Sequence, residues 1–168
     1  MLSARECACH SSLVTNYSIA KYPGRQYSRA VQDRELLIGE YVVLAMLAFR
    51  PMHGYDMLAF LADEGLSGVV PIEQSTLYTY LRNVEARGLV AWNEERVGQR
   101  PPRKVYALTE AGKARVEHWL RQPVERMREV RLDFLLKLFF LERLDGAAHR
   151  DLLARQVAVC EAYLARIT

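Results

Sequence analysis

Leu89–Gly112 reads LVAWNEERVGQRPPRKVYALTEAG. LVAWNEE and KVYALT mix apolar and polar residues at strand period, while RVGQRPPR between them carries a glycine and a proline pair. The stretch is therefore two short strands, Leu89–Glu95 and Lys104–Thr109, joined as a long-looped hairpin. Its loop is crowded with cations: Arg96, Arg100, Arg103 and Lys104 surround Pro101-Pro102. Thr109 is expected to cap a following helix, with Glu110 near that helix's positive end. Val116, Trp119 and Leu120 give this helix an apolar side, and Gln122-Pro123 ends it.

Upstream, the pattern has helical period. A first helix is expected over about Glu35–Phe49, ending at Arg50-Pro51, and a second over about His53–Glu64, ending at Gly65. A third, about Gln74–Arg87, repeats apolar residues at Leu77, Leu81 and Val84 and stops at Gly88. Three helices followed by a hairpin is the order of a winged helix, a helix-turn-helix variant. The fold class is thus mainly α with a small β-hairpin. A protruding basic loop meets phosphate oxygens, and the proline pair lowers the entropy lost on docking.

With Leu77, Leu81 and Val84 inward, the other side of the third helix holds Gln74, Ser75, Tyr78, Thr79 and Arg82. Gln74 suits an adenine edge, Ser75 and Thr79 allow close approach, and Tyr78 and Arg82 reach phosphates. Thr76 lies between the faces and either caps the helix or meets a phosphate. In the wing, Arg100, Arg103 and Lys104 are the phosphate candidates, whereas Arg96 has Glu94 or Glu95 beside it as a partner.

HGYDMLAFL (His53–Leu61), STLYTYLRNVEARGLV (Ser75–Val90) and RKVYALTEAG (Arg103–Gly112) together resemble the PadR family of transcriptional regulators. The resemblance spans about Leu36–Leu120 and rests on the linked motifs T-L-Y, E-x-x-G-L-V and Y-x-L-T-x-A-G. It implies a winged-helix repressor, usually dimeric, that releases DNA when a small hydrophobic or aromatic molecule binds. It puts Tyr55 near the DNA backbone; packing of the second helix on the third is the other reading of that residue. Two positions depart from the family. Glu73-Gln74 stand where it commonly has Ser-Pro, and Asn83 where it often has a basic residue.

The chain beyond residue 122 is expected to be a helical dimerisation domain (123–168). REVRLDFLLKLFFLERL (Arg128–Leu144) is densely apolar, and Leu153, Val157, Cys160, Leu164 and Ile167 then recur at steps of four and three. That seam pairs either with a second copy or with its own chain. A homodimer would set two recognition helices one DNA turn apart on a near-palindrome. The resemblance implies C-terminal helices embracing the partner's first helix, Leu36–Phe49. Such relatives usually continue where this chain stops at Thr168, so it reads as a short member or a truncated one.

The remaining features bound the function class. The chain has 168 residues, 51% hydrophobic and 26% charged, with a formal charge of +3, which is ordinary globular composition. Residues 1–34 have no sustained period and read as a flexible arm. Cys7, Cys9 and His10 lack a second ligand pair at finger spacing, and no cofactor is expected. Three cysteines suit a reducing, cytoplasmic setting, and the longest apolar run, Leu36–Phe49, is short for a membrane span. His10, His53, His118 and His149 form no nucleophile–base pattern, so catalysis is not expected. The rival reading is a winged helix used for protein contacts, which would show an apolar patch on the third helix. Trp92, Trp119, Phe139 and Phe140 are the aromatics that could line an effector cavity.

Overall fold

Helix α1 (Ile38–Phe49) is apolar nearly all round because its neighbours cover it nearly all round. A computed structural model describes residues 35–96 and 102–167. In it α3 (Gln74–Ala86), α4 (Glu110–Arg121) and α5 (Leu135–Leu144) all pack on α1, and every residue from Tyr41 to Leu47 is buried. Each large apolar side chain so buried contributes about 1.5–3 kcal/mol, which makes α1 the centre of the core. The chain's own helices thus bury the middle of α1, while Leu37 at its start stays 50% exposed. Residues 1–34, with Cys7, Cys9 and His10, lie outside the described residues, as do Arg100 and Pro101 of the wing.

Helix α2 (Gly54–Asp63) and a 3-10 turn (Leu66–Gly68) precede α3, and the strands are β1 (Met52–His53), β2 (Val90–Glu95) and β3 (Arg103–Leu108). The sheet is antiparallel in the order β1-β3-β2. The expected hairpin is thus three-stranded. Two residues after Pro51 are too few to carry a period, so β1 leaves no pattern to read, yet it ties α2's start to the wing.

The end of α3 and the start of α4 are joined by backbone. Gly88 adopts φ 68°, and Leu89 N donates to Val84 O (2.9 Å) while Gly88 N donates to Glu85 O (2.8 Å). This left-handed helix stop needs a residue without a Cβ penalty. Thr109 then closes the junction as expected of a cap, its Oγ1 accepting from Gly112 N (3.1 Å) and donating to Gly88 O (2.7 Å). Thr109 N donates to Leu89 O (3.0 Å).

After α4 the chain makes a helical turn (Met127–Glu129), a π-helical stretch (Val130–Phe134) and α5, then reverses at Asp145 into α6 (Gly146–Ile167). The π-helical stretch carries Asp133, whose oxygens take Trp119 Nε1 (3.0 Å) and the buried Lys137 Nζ (2.8 Å). Tyr41 stacks on Trp119 at 4.8 Å, and burial raises the Tyr41 phenol above its ordinary value. Gln156 of α6 clamps Val124, accepting from its N–H (2.7 Å) and donating to its carbonyl (2.9 Å). A buried amide held on both sides meets the rule that buried polar groups are paired. No helix among the described residues is long and apolar enough to cross a membrane.

Two tests follow from these joints. A Cβ on Gly112 would fall 1.9 Å from Leu89 O, so Gly112→Ala must push two backbones apart. We expect it to cost about 1–3 kcal/mol in urea unfolding, as overpacking does; a change within experimental error would contradict the close approach. Asp145 caps α6, its Oδ1 accepting from Ala147 N (3.1 Å) and Ala148 N (3.0 Å). The Ala148 amide foremost, then Ala147 and Arg121, hold its carboxyl below the ordinary value. A depressed folded value makes this contribution full above the unfolded value and lost as pH falls through the folded one. The melting-temperature gap between wild type and Asp145→Ala should therefore be open at pH 7 and close in acid; a gap independent of pH would contradict the assignment.

Candidate nucleic-acid interface

The third helix turns its polar side outward by the same spacing that turns Leu77, Leu81 and Val84 inward. Gln74, Ser75, Thr79 and Arg82 are exposed, and all three leucine and valine positions are buried. Glu73 occupies the N-cap without a side-chain cap bond, so the first amides of α3 have no glutamate oxygen on them. Thr76 is half-buried inside the helix and is not its cap, which corrects one of its two readings. Along the outer side, Thr79 Oγ1 donates to Ser75 O (2.9 Å) and accepts from Arg82 Nη2 (3.0 Å). Arg82 is thereby held along the helix rather than free to sweep.

The two tyrosines of α3 pack inward, contrary to the reading that set Tyr78 among the outward-facing residues. A Cβ on Gly54 would lie 2.9 Å from the Tyr78 ring, and one on Gly39 would lie 2.3 Å from the Tyr80 ring. Each tyrosine fills the space left by a glycine, so α2 and α1 approach α3 closely. Tyr55, the next residue along α2, stays 73% exposed. That overturns its packing reading.

Asn83, where a basic residue was expected, turns to the core and donates to Glu40 Oε1 at 2.8 Å. Glu40 is fully buried in α1 and also accepts from Leu37 N (2.9 Å). The position thus serves to pair a buried acid.

In the wing, Arg103 and Lys104 are exposed on β3, while Arg100 lies outside the described residues. Lys104 Nζ sits 3.7 Å over the Trp92 ring, and Trp92 Nε1 donates to Glu85 Oε1 of α3 (2.8 Å). Glu95 reaches His53 Nε2 (3.5 Å) instead of Arg96. The histidine, expected as a turn or capping residue, does stand at the N-cap of α2, and its Nδ1 also donates to Lys104 O (3.1 Å). These links between the wing and both helices escaped the sequence because each joins positions far apart in the chain.

The aromatics named for a cavity are packed. Trp119 and Phe140 are core residues, Phe139 meets Phe140 edge-on at 5.2 Å, and Trp92 is braced as above. On α6, Ala148, Leu152 and Gln156 face the chain's own core. Leu153, Val157, Leu164 and Ile167 stay exposed, by 37–65%, and Cys160 is half-buried. In-chain burial of the whole seam is therefore corrected: four of its five residues remain exposed.

Comparison with known proteins matches residues 43–118 to the transcriptional regulator PadR-like family. The negative transcriptional regulator PadR of Bacillus subtilis (strain 168) is 27% identical over 127 residues, covering 74% of this chain and 68% of that protein. The crystal structure of Bacillus subtilis PadR in complex with operator DNA superposes with a TM-score of 0.52 at 24% identity, over 79% of this chain and 74% of that one. A structure from Streptococcus mutans UA159 has a TM-score of 0.47 at 25% identity, over 77% and 75%. The superposition on the Bacillus subtilis PadR agrees with a winged helix, mainly helical with a small three-stranded antiparallel sheet. The match to the PadR-like family of transcriptional regulators thus spans residues 43–118, from within α1 to within α4.

Proposed function

We propose that this protein is a sequence-specific DNA-binding repressor that acts as a homodimer on a near-palindromic operator. The observation that carries the reading is the outer side of α3, where Gln74, Ser75, Thr79 and Arg82 form an exposed polar face. A protein-docking helix would show apolar side chains there, and this one turns both tyrosines inward. In this reading Gln74, Ser75 and Thr79 meet base edges in the major groove. Thr76, Arg82 and Tyr55 lie along the phosphates, while Tyr78 holds α2 in position behind them. Arg100, Arg103 and Lys104 grip the neighbouring backbone. The crystal structure of the Bacillus subtilis PadR with its operator supports the DNA partner, and that relative's designation as a negative regulator supports repression. Release by a small hydrophobic or aromatic effector rests on the family resemblance alone, and a cytoplasmic setting follows from a DNA partner.

Fluorescence anisotropy with the duplex upstream of the protein's own gene, against a scrambled duplex at two salt concentrations, tests the core of the reading. A preference of at least about 10³-fold is expected of a specific regulator. Exchange of Arg100, Arg103 and Lys104 for alanine should weaken binding to both duplexes and flatten the salt dependence by about 0.9 for each phosphate no longer neutralised. Gln74→Ala should instead reduce the preference, by about 1–3 kcal/mol, with the salt slope retained. An unchanged slope in the triple variant would reject the wing's role.

The exposed apolar residues along α6 support the dimer. Leu153, Val157, Cys160, Leu164 and Ile167 form one apolar line along a 22-residue helix. Val157→Glu with Leu164→Glu should yield monomers by light scattering and lose tight operator binding. A dimer that survives both changes would rule this seam out as its interface.

A further inference from the structure

The wing carries two acids as well as its cations, and the register puts them opposite one another. Glu95 pairs with Arg103 and Glu94 with Lys104 across β2 and β3. Residues directly opposite in an antiparallel pair share one face of the sheet, within reach of each other. Glu95 is thus the natural partner of Arg103, and such a pairing would cancel the cation that phosphate needs. The structure has Glu95 elsewhere: its carboxylate lies 3.5 Å from His53 Nε2. Among the described residues, no acid lies within ion-pair distance of Arg103.

His53 is placed for this by three fixed points. It pairs with Val105 in the β1–β3 register, so its side chain emerges on the face that Arg103 and Glu95 share. Its backbone N–H donates to Asp56 Oδ2 (3.4 Å) at the start of α2. Its Nδ1 lies 3.1 Å from Lys104 O, and a carbonyl oxygen only accepts, so Nδ1 carries hydrogen. Nε2 is thereby turned toward Glu95 on the other wing strand, and because a carboxylate only accepts, it is the ring with hydrogen on both nitrogens that holds Glu95. One ring spans both strands of the wing and fastens them to the first helix of the helix-turn-helix.

We infer that His53 is a positioning residue for DNA binding: it holds Glu95 away from Arg103 and so keeps the Arg103 guanidinium available to phosphate. This rests on the DNA reading above and adds a residue to it that touches no DNA. Without the imidazole, Glu95 swings to Arg103 across the strand pair and the wing loses one effective cation.

A double-mutant cycle on the full chain tests this by duplex anisotropy across a salt series, with thermal melts to establish that each variant folds. His53→Ala should weaken binding about three- to fivefold, the scale of an exposed ion pair, and reduce the salt slope by up to about 0.9. In the Glu95→Gln background no carboxylate remains to capture Arg103, so adding His53→Ala should then change affinity less than about 1.5-fold. An equal loss in both backgrounds would mean that His53 acts only as a cap, and the inference falls. It falls as well if His53→Ala has no effect on a wild type that binds. Failure of the wild type to bind any duplex removes the DNA reading and this inference together. Nitrogen NMR of the imidazole reads the bridge without DNA: hydrogen on both ring nitrogens is expected, and a ring lacking it on either nitrogen overturns the bridge.

Discussion

The contact on which the rest depends is the one between Gly112 and Leu89, where two backbones meet with only a hydrogen atom between them. That approach fixes the angle at which α4 leaves the wing and the angle at which α3 enters it. Thr109 ties both ends of the same joint through Gly88 and Gly112. With the joint closed, Val116 and Leu120 fall against α1, and the outer side of α3 is aimed by the core rather than by its own surface. The Y-x-L-T-x-A-G motif is therefore one device: a strand end, a cap, and a glycine whose missing side chain is the space the preceding helix needs.

Much of this could be read in the sequence because its signals are local. Gly65 and Gly88 stop helices in positive φ, Thr109 caps, and the apolar period of α3 picks out its buried side. What escaped was non-local. Tyr78 reads as outward-facing until Gly54, more than twenty residues away, is seen to face it. Glu40 interrupts an apolar run, and its partner Asn83 is too distant in sequence to be read. β1 is too short to have a pattern, and with it went the bridge from His53 to both wing strands.

The C-terminal half divides its polar and apolar tasks in an unusual way. Its buried face is held by polar residues: Asp133 with Lys137 and Trp119, and Gln156 with Val124. On α6, Leu152 is buried with Gln156, whereas Leu153, Val157, Leu164 and Ile167 are exposed. Hydrogen bonds specify angle and register, whereas apolar contact is tolerant of both. The arrangement pins α6 to its own winged helix in one orientation and leaves its adhesive side for another surface. Arg143, which pairs with Glu64 at 2.8 Å, adds a second pin between α5 and the end of α2.

The chain contains two tryptophans, and the fold sets them at its two joints. Trp92 lies at the base of the wing, beneath the Lys104 ammonium and bonded to α3. Trp119 lies where the winged helix meets the C-terminal helices, stacked on Tyr41 and bonded to Asp133. Indole emission responds to nearby charge and to hydrogen bonding, so each ring is an optical gauge of its own joint. Replacing either one by phenylalanine leaves a single-colour sensor, and a movement begun at one end of the molecule can be timed as it arrives at the other.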